Sequence, residues 1–205
     1  MGKIRTDLKE YIEKNILVEY EGYEKAHNVD HIRTVIENSL EIAKEYDVNL
    51  NMVYTIAAYH DIGIRFGRDN HEITSAKWLI EDEKLDTYFT KEEKIMMKEA
   101  IEDHRASKKE RPRSIYGCIV AEADRDVEPL RIVERALQFA KAHHLDKTKE
   151  EIYQITENHL KEKYGENGYL KLWIASKKNE EGLAILRNWM RSGKISEIIR
   201  SCDVK

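Results

Sequence analysis

The sequence predicts an all-α protein, and three observations support this fold class. Only two prolines and nine glycines occur in 205 residues, so residues that break helices are scarce. Apolar residues recur at intervals of three or four positions, which is the pattern of helices with one buried face. Residues that commonly cap helices stand at the start of several of these runs. We therefore expect nine or ten helices and no strand.

The first half of the chain is expected to contain five helices. Asn51 is predicted to cap the third, which ends near Gly63. Thr90 and Glu93 have the spacing of a capping box at the start of the fifth. The predicted ranges are 7–17, 28–46, about 51–63, about 71–82 and 90–105.

The second half begins with a basic loop, ASKKERPR, and continues as helices. Pro112 and Pro129 stand where helices would begin, the position at which a helix tolerates proline. The sequence GENG at residues 165–168 is expected to break the chain, and two or three helices should follow it. The predicted helices before this break span about 113–126, 129–144 and 148–163. Since no clear linker is present, we expect residues 1–205 to form a single domain.

Composition and charge restrict the function. The formal net charge of −4 argues against extended nucleic-acid binding, which favours basic surfaces. No run of 18 apolar residues occurs, so we expect no membrane-spanning segment, and the charged N-terminus lacks the pattern of a signal peptide. The two cysteines, Cys118 and Cys202, are far apart and form no CxxC motif. We therefore expect a cytoplasmic protein with reduced thiols.

Several ionisable residues lie on the faces that the apolar pattern predicts to be buried. Four of them, His31, His60, His104 and Asp124, are three or four positions from an apolar residue, and residues with this spacing share a helix face. His71 lies four positions before Ser75 and eight before Leu79, and Asp61 adjoins His60 at a helix end. They come from five different helices: His31, His60 with its neighbour Asp61, His71, His104 and Asp124. Because burying an unpaired carboxylate is unfavourable, a set of this kind needs a compensating charge.

A divalent metal ion would provide that charge, because carboxylate oxygens and neutral imidazoles are common metal ligands. Such ligands accept Mn, Fe, Co, Ni, Zn or, less readily, Mg. The chain has no cluster of cysteines, which argues against a closed structural zinc site. The sequence therefore predicts an open site for a divalent metal.

The same residues resemble the H…HD…D signature of the HD superfamily of metal-dependent phosphohydrolases. His31 occurs in NVDHIRTV, the doublet His60–Asp61 in AAYHDIG and Asp124 in AEADRD. The stretches NHEITSAKWL and AIEDHRAS match two further histidine positions that many members have. The resemblance covers about residues 26–126.

This resemblance implies a compact helical bundle, with the helices of about 145–205 as an additional C-terminal extension. It also implies that one metal ion is held by His31, His60, Asp61 and Asp124. In the dinuclear branches of the family, histidines at positions like His71 and His104 bind a second ion. We therefore expect one or two metal ions per chain.

The implied activity is hydrolysis of a phosphomonoester, phosphodiester or phosphoanhydride. The metal makes hydroxide available near neutral pH, and Asp61 is expected to orient or deprotonate the attacking water. A nucleotide or another small phosphorylated metabolite is the expected substrate. Its phosphate charge needs cationic partners, for which arginine is well suited. The candidates for substrate binding are Arg65, Arg68, Arg105 and His27, with Lys108, Lys109, Arg111 and Arg113 in the basic loop.

Two alternatives remain open from the sequence. The first keeps the helical metal site but uses two iron ions and oxygen, as an oxygenase of the same fold. The second is a non-catalytic module that binds metal or nucleotide and has a regulatory role. The complete ligand set argues against the second alternative, because such a module has no need to keep it.

Overall fold

The computed structural model describes residues 3–21, 28–105, 108, 110–125 and 127–203. Within these ranges the protein has ten α-helices, three short 3₁₀ helices and no strand, which confirms the all-α fold class. The 3₁₀ helices span Leu17–Tyr20, Ile62–Phe66 and Glu83–Thr87. The α-helices are α1 (Thr6–Asn15), α2 (Val29–Ala43), α3 (Leu50–Tyr59), α4 (His71–Glu81), α5 (Lys91–Asp103), α6 (Ile115–Arg125), α7 (Pro129–His143), α8 (Lys149–Tyr164), α9 (Lys177–Arg191) and α10 (Ile195–Cys202).

The chain divides into two compact units, residues 1–126 (unit 1) and residues 127–205 (unit 2). Each unit has a hydrophobic core of its own. The expectation that residues 1–205 form a single domain stays a prediction, and the two units are described separately.

Helix α3 forms the centre of unit 1. All of its residues from Met52 to Tyr59 are buried, and α2, α5 and α6 pack around it. A helix that is apolar on every side is stable only inside a core. Because α3 is central, the residues that follow its last turn start from the interior of the unit rather than from its surface.

The prediction for this helix was wrong at both ends. Asn49, not Asn51, is the N-cap, and its side chain accepts a hydrogen bond from the backbone N–H of Asn51. The helix ends at Tyr59 because the chain turns at His60 and Asp61 into the 3₁₀ helix Ile62–Phe66.

Gly63 allows this 3₁₀ helix to lie directly against α4. A Cβ atom at Gly63 would be 2.6 Å from the carbonyl oxygen of His71 and 2.6 Å from the backbone nitrogen of Ser75. The backbone N–H of Gly63 also donates to Oγ of Ser75 at 2.8 Å. Only a residue without a side chain fits this contact, which brings the segment after Asp61 against the start of α4.

The predicted starts of α5 and α6 can be compared with the structure, and only the first is confirmed. The predicted capping box of α5 is confirmed, since Thr90 and Glu93 each bond the other's backbone N–H. Helix α6 begins at Ile115, later than the predicted start at about 113. The reason is that the backbone N–H of Arg113 donates to Asp103, so this residue belongs to the loop before the helix.

Unit 2 consists of α7 to α10 around a core that includes Leu137, Leu160, Leu186 and Ile195. Pro129 is the first residue of α7, as predicted. Two helices, α9 and α10, follow the GENG break, also as predicted. In the part of the chain that the structure describes, no helix is both long enough and apolar enough to span a membrane.

Candidate metal centre

His60 and Asp61 are held in the interior by the end of α3. The His60 side chain is fully buried and the Asp61 side chain is 3% exposed. Nδ1 of His60 lies 2.8 Å from the carbonyl oxygen of Ala57. A carbonyl oxygen can only accept, so Nδ1 carries the hydrogen in this bond. In the neutral ring, Nε2 then keeps a lone pair available for a metal ion.

His71 and His104 repeat this arrangement. Nδ1 of His71 lies 2.9 Å from the carbonyl oxygen of Arg68, and Nδ1 of His104 lies 2.6 Å from that of Ile101. In each case the acceptor is three residues earlier in the chain. Three imidazoles are thus oriented by the backbone so that Nε2 is the atom available as a ligand.

The first ligand group consists of His31, His60 and Asp124, whose ligand atoms lie within 4.8 Å of one another. Nε2 of His31 is 3.2 Å from Oδ1 of Asp124, and Nε2 of His60 is 3.8 Å from the same oxygen. Asn28 caps α2 by accepting from the backbone N–H of His31, which fixes His31 in the first turn. The start of α2, the end of α3 and the end of α6 therefore meet at this group.

The second ligand group consists of Asp61, His71 and His104, again with ligand atoms within 4.8 Å of one another. Oδ1 of Asp61 is 3.1 Å from Nε2 of His71 and 3.5 Å from Nε2 of His104. The rings of His71 and His104 have their centroids 5.3 Å apart. The start of α4 and the end of α5 supply these two histidines.

Asp61 belongs to the second group through one oxygen and faces the first group through the other. Its Oδ2 is 3.4 Å from Nε2 of His60 and 3.8 Å from Nε2 of His31, whereas its Oδ1 faces His71 and His104. A carboxylate with one oxygen directed at each of two ligand groups has the arrangement of a bridge between two ions. The structure thus brings all six predicted metal ligands together around Asp61.

The residues of this site fit a divalent metal. Among the described residues, none makes a hydrogen bond to Nε2 of His60, although this atom is completely buried. A buried polar atom without a partner is unfavourable, and a cation at this position would remove the penalty. Four imidazoles and two carboxylates are also a common donor set for divalent transition metals.

The ligands influence one another's protonation. Burial tends to raise the pKa of Asp124, but the neighbouring imidazoles of His31 and His60 outweigh burial and hold this pKa well below its usual range. Burial tends to lower the pKa of His104, but the hydrogen bond and charge of Asp61 raise it overall. Asp124 therefore stays ionised, and His104 takes up a proton more readily than usual, so that protons and metal ions compete for Nε2 of His104.

The two groups differ in their access to solvent. The side chains of His31 and Asp124 are 16% and 25% exposed, whereas that of His104 is 2% exposed. A molecule that arrives from solvent therefore reaches the first group more readily than the second.

Four of the described basic residues that were predicted to bind phosphate contact acidic residues, namely Arg65, Arg105, Lys108 and Arg113. Arg65 forms an ion pair with Glu19, and its guanidinium lies over the ring of Trp78. Lys108 and Arg113 both bind the carboxylate of Asp103, each at 2.9 Å. Burial tends to raise the pKa of Asp103, but these hydrogen bonds lower it overall.

Arg105 has an acidic partner as well, whereas the remaining candidates are exposed or lie outside the described residues. Arg105 follows His104, and its Nη1 is 3.3 Å from Oε2 of Glu72. Arg68 is exposed, and its carbonyl oxygen is the acceptor that orients His71. Arg111 is also exposed. His27 and Lys109 lie outside the described residues. The substrate-binding roles of all these residues stay predictions.

Sequence reasoning missed three features that position the site. Gly63 and Ser75 join the segment after Asp61 to α4, and a glycine two residues after the doublet was the available signal. The hydroxyl of Tyr20 donates to the carbonyl oxygen of Ala58 at 2.8 Å, close to the end of α3. Glu72 accepts from Arg105 across two elements. The partners of Tyr20 and Glu72 are distant in sequence, so no local pattern indicates them.

Comparison with known proteins gives one family and one similar solved structure. The family model of the HD domain matches residues 28–127. No curated protein matches the chain. The similar crystal structure is that of a predicted HD superfamily hydrolase from an uncultured Thermotogales bacterium, with 24% sequence identity and a TM-score of 0.52. The similarity covers 74% of this chain and 83% of that one, and it supports the fold.

The range matched by the family model contains every ligand of both groups, from His31 to Asp124. These ligands follow the order of the signature along the chain and meet around Asp61 in the structure. Residues 28–127 are therefore an HD domain, as the signature in the sequence predicted.

Proposed function

We propose that the protein is a metal-dependent phosphohydrolase that acts on a nucleotide or another small phosphorylated metabolite. The observation that carries this proposal is the position of Asp61, whose two oxygens face two separate groups of metal ligands. A site of this form suits transfer of a phosphoryl group to water, because the reaction develops negative charge on several oxygens at once.

The first ion would be held by His31, His60, Asp124 and Oδ2 of Asp61, and the second by Oδ1 of Asp61, His71 and His104. Bound divalent metals lower the pKa of water and polarise phosphoryl oxygens. The Mn, Fe, Co, Ni and Zn ions suit these ligands, and Mg suits them less well.

The chain's own residues have separate tasks in the reaction. The reaction forms a bond between the water oxygen and phosphorus and breaks the bond between phosphorus and the leaving oxygen. The water loses a proton, and the leaving oxygen gains one. Asp61 lies between the two groups, and its carboxylate is the group proposed to orient the water and accept its proton.

The substrate would approach from the side of His31 and Asp124, which is the more exposed side of the site. Arg105 is the best supported candidate for a phosphate contact, because it directly follows His104 and its side chain is 35% exposed. Arg65, Arg68 and His27 are further candidates. Arg65 would have to leave its ion pair with Glu19 in order to bind phosphate.

The test combines metal analysis with a screen for activity. Freshly purified protein is analysed for metal, stripped with a chelator, reloaded with each candidate metal and assayed for phosphate release from phosphomonoesters, diesters and nucleotides. We expect metal-dependent release by the wild type and none by the Asp61→Ala variant. Lys94→Met serves as the matched control, because Lys94 is equally buried and lies on α5, where it pairs with Asp86.

Two results would contradict the proposal and select an alternative. Iron in the purified protein together with oxygen consumption, but without phosphate release, would indicate a di-iron oxygenase. Tightly bound metal or nucleotide without any turnover would indicate a regulatory module.

A further inference from the structure

Glu72 is a buried carboxylate next to the second ligand group. It is the second residue of α4, and its side chain is 9% exposed. Its Oε2 lies 3.7 Å from Nδ1 of His71, on the side of the ring opposite the metal-binding Nε2. An acidic residue in this position is close enough to influence the imidazole electrostatically without being a ligand itself.

Arg105 fixes the position of this carboxylate. Its Nη1 donates to the same Oε2 of Glu72 at 3.3 Å. Arg105 directly follows His104, and Glu72 directly follows His71. The ion pair therefore connects the start of α4 with the end of α5, the two places that supply the histidines of the second group.

The two ligand groups also differ in charge. The first contains the carboxylate of Asp124 and faces Oδ2 of Asp61, whereas the second has only the shared carboxylate of Asp61. A doubly charged ion in the second group therefore receives less compensation from its direct ligands. Glu72 adds a negative charge beside His71, whose orientation is already fixed by the carbonyl oxygen of Arg68, and a nearby carboxylate makes an imidazole a stronger ligand.

We propose that Glu72 is a positioning residue for the second metal ion, and that Arg105 keeps its carboxylate against His71. This inference deepens the proposed function and rests on its two metal centres. According to this inference, the Glu72–Arg105 pair strengthens binding of the second metal ion and does not affect binding of the first. Loss of an outer partner of a metal-binding histidine typically weakens metal affinity by about 10- to 100-fold.

The experiment is a titration of metal-free protein with Mn²⁺, in which bound ions are counted after equilibrium dialysis at graded free concentrations. The wild type is expected to bind two ions. In Glu72→Gln, which keeps the shape of the side chain, the second binding step should weaken by about 10- to 100-fold while the first is unchanged. Arg105→Met should weaken the same step to a smaller extent. Added to Glu72→Gln, it should have no further effect on metal binding.

Lys94→Met is the control for general loss of stability. Lys94 is also buried on α5, and its removal breaks a 2.6 Å ion pair with Asp86. Its thermal stability should fall while both binding steps stay unchanged. Circular dichroism shows whether Glu72→Gln folds. If it does not, Arg105→Met provides the same test, because Arg105 lies after α5 and its replacement changes no residue of α4.

The outcomes separate this inference from the proposed function. Two ions bound equally well by the wild type and by both variants would overturn the inference alone. Weakening of both steps together, or a wild type that binds only one ion, would also overturn it and leave a metal-dependent hydrolase possible. A wild type that binds no metal would overturn the proposed function as well.

Discussion

Unit 1 and unit 2 treat their buried polar groups differently. In unit 2, Thr156 donates to the carbonyl oxygen of Ile152, and Asn179 accepts from the backbone N–H of Val127. The side chain of Asp203, 3% exposed, accepts from Tyr153 and pairs with Lys149. Each of these polar groups has a hydrogen-bond or ion-pair partner within unit 2, so its role is structural.

In unit 1, one set of buried polar groups converges instead of pairing separately. His60, Asp61 and His104 have side chains no more than 3% exposed, and their ligand atoms face a common region. Nitrogen lone pairs and carboxylate oxygens are all acceptors, so they do not satisfy one another without added protons or a cation. A buried charged side chain alone therefore does not indicate a functional site. Several buried acceptors that face one region indicate a site for a cation.

The largest expected effect is on metal content and activity, and it distinguishes Asp61 from Asp203, whose side chains are both 3% exposed. Asp61→Ala should bind fewer metal ions and lose at least roughly 100- to 1,000-fold in phosphate release, as expected for a group that acts in the transition state. Asp203→Ala should lower the free energy of unfolding by about 1–3 kcal/mol through lost hydrogen bonds. Its metal content should stay that of the wild type. Equal metal content in Asp61→Ala would contradict the comparison.

The next effect distinguishes the two ligand groups. In the double variant His71→Ala/His104→Ala, we expect metal content to fall from two ions to one, because His31, His60 and Asp124 remain. Phosphate release should fall by more than about 100-fold, beyond the loss typical of an outer residue. Metal content is measured by elemental analysis after dialysis. A variant that retains two ions would show that these histidines serve the substrate rather than the metal.

Substitutions at Gly63 and Gly182 test whether only changes close to the ligand groups weaken metal binding. At Gly63 and at Gly182, an added Cβ would meet backbone atoms at 2.6 Å and 1.9 Å, respectively. Each Gly→Ala change should destabilise its unit by about 1–3 kcal/mol through overpacking. Only Gly63→Ala should weaken metal binding, since Gly63 holds the segment after Asp61 against α4. Thermal unfolding and metal titration measure the two effects, and equal metal binding by both variants would refute this role.

The smallest expected effect concerns pH. The raised pKa of His104 contributes stability to the metal-free protein below about pH 6.5, and this contribution is lost as pH rises through the folded-state pKa. The lowered pKa of Asp124 contributes stability above about pH 4, which is lost only in stronger acid. As pH rises above about 6.5, the metal-free protein should therefore lose the stability that protonated His104 contributes.

Stabilisation by a bound metal ion should increase with pH, whereas the stability of the metal-free protein decreases. Since an ion must displace the proton from His104, the rise in Tm on adding Mn²⁺ should grow from pH 6 to pH 8. Thermal unfolding with a chelator and with Mn²⁺ at three pH values measures this difference. A metal-induced shift that is independent of pH would mean that no proton is displaced.

The sequence indicated the metal ligands well because their signal is local. His31, His60 and His104 each stand three or four positions from an apolar residue, His71 stands eight positions before Leu79, and the HD signature supplied their order. The capping box at Thr90 and Glu93 was readable for the same reason. The end of α3 was not, because the chain leaves the helix at His60 to bring Asp61 against α4 through Gly63, a contact made across 12 residues.

The basic residues show the limit of local patterns most clearly. The lysines and arginines near the site suggested one or two phosphate contacts, and the structure shows that Lys108 and Arg113 bind Asp103 and that Arg65 binds Glu19. Glu19 is 46 positions from Arg65 in sequence, so no periodicity reveals the pairing. The division into two units was equally hidden, because only three residues separate the end of α6 from Pro129.

The most direct test of the central claim is a crystal structure of the protein loaded with Mn²⁺, with the ions located by their anomalous scattering. We predict two ions on either side of Asp61, about 3.5–4 Å apart, with one carboxylate oxygen bound to each. His31, His60 and Asp124 should bind one ion, and His71 and His104 the other, at roughly 2.0–2.3 Å. The absence of any ion at Asp61, with Mn²⁺ bound elsewhere, would contradict the account.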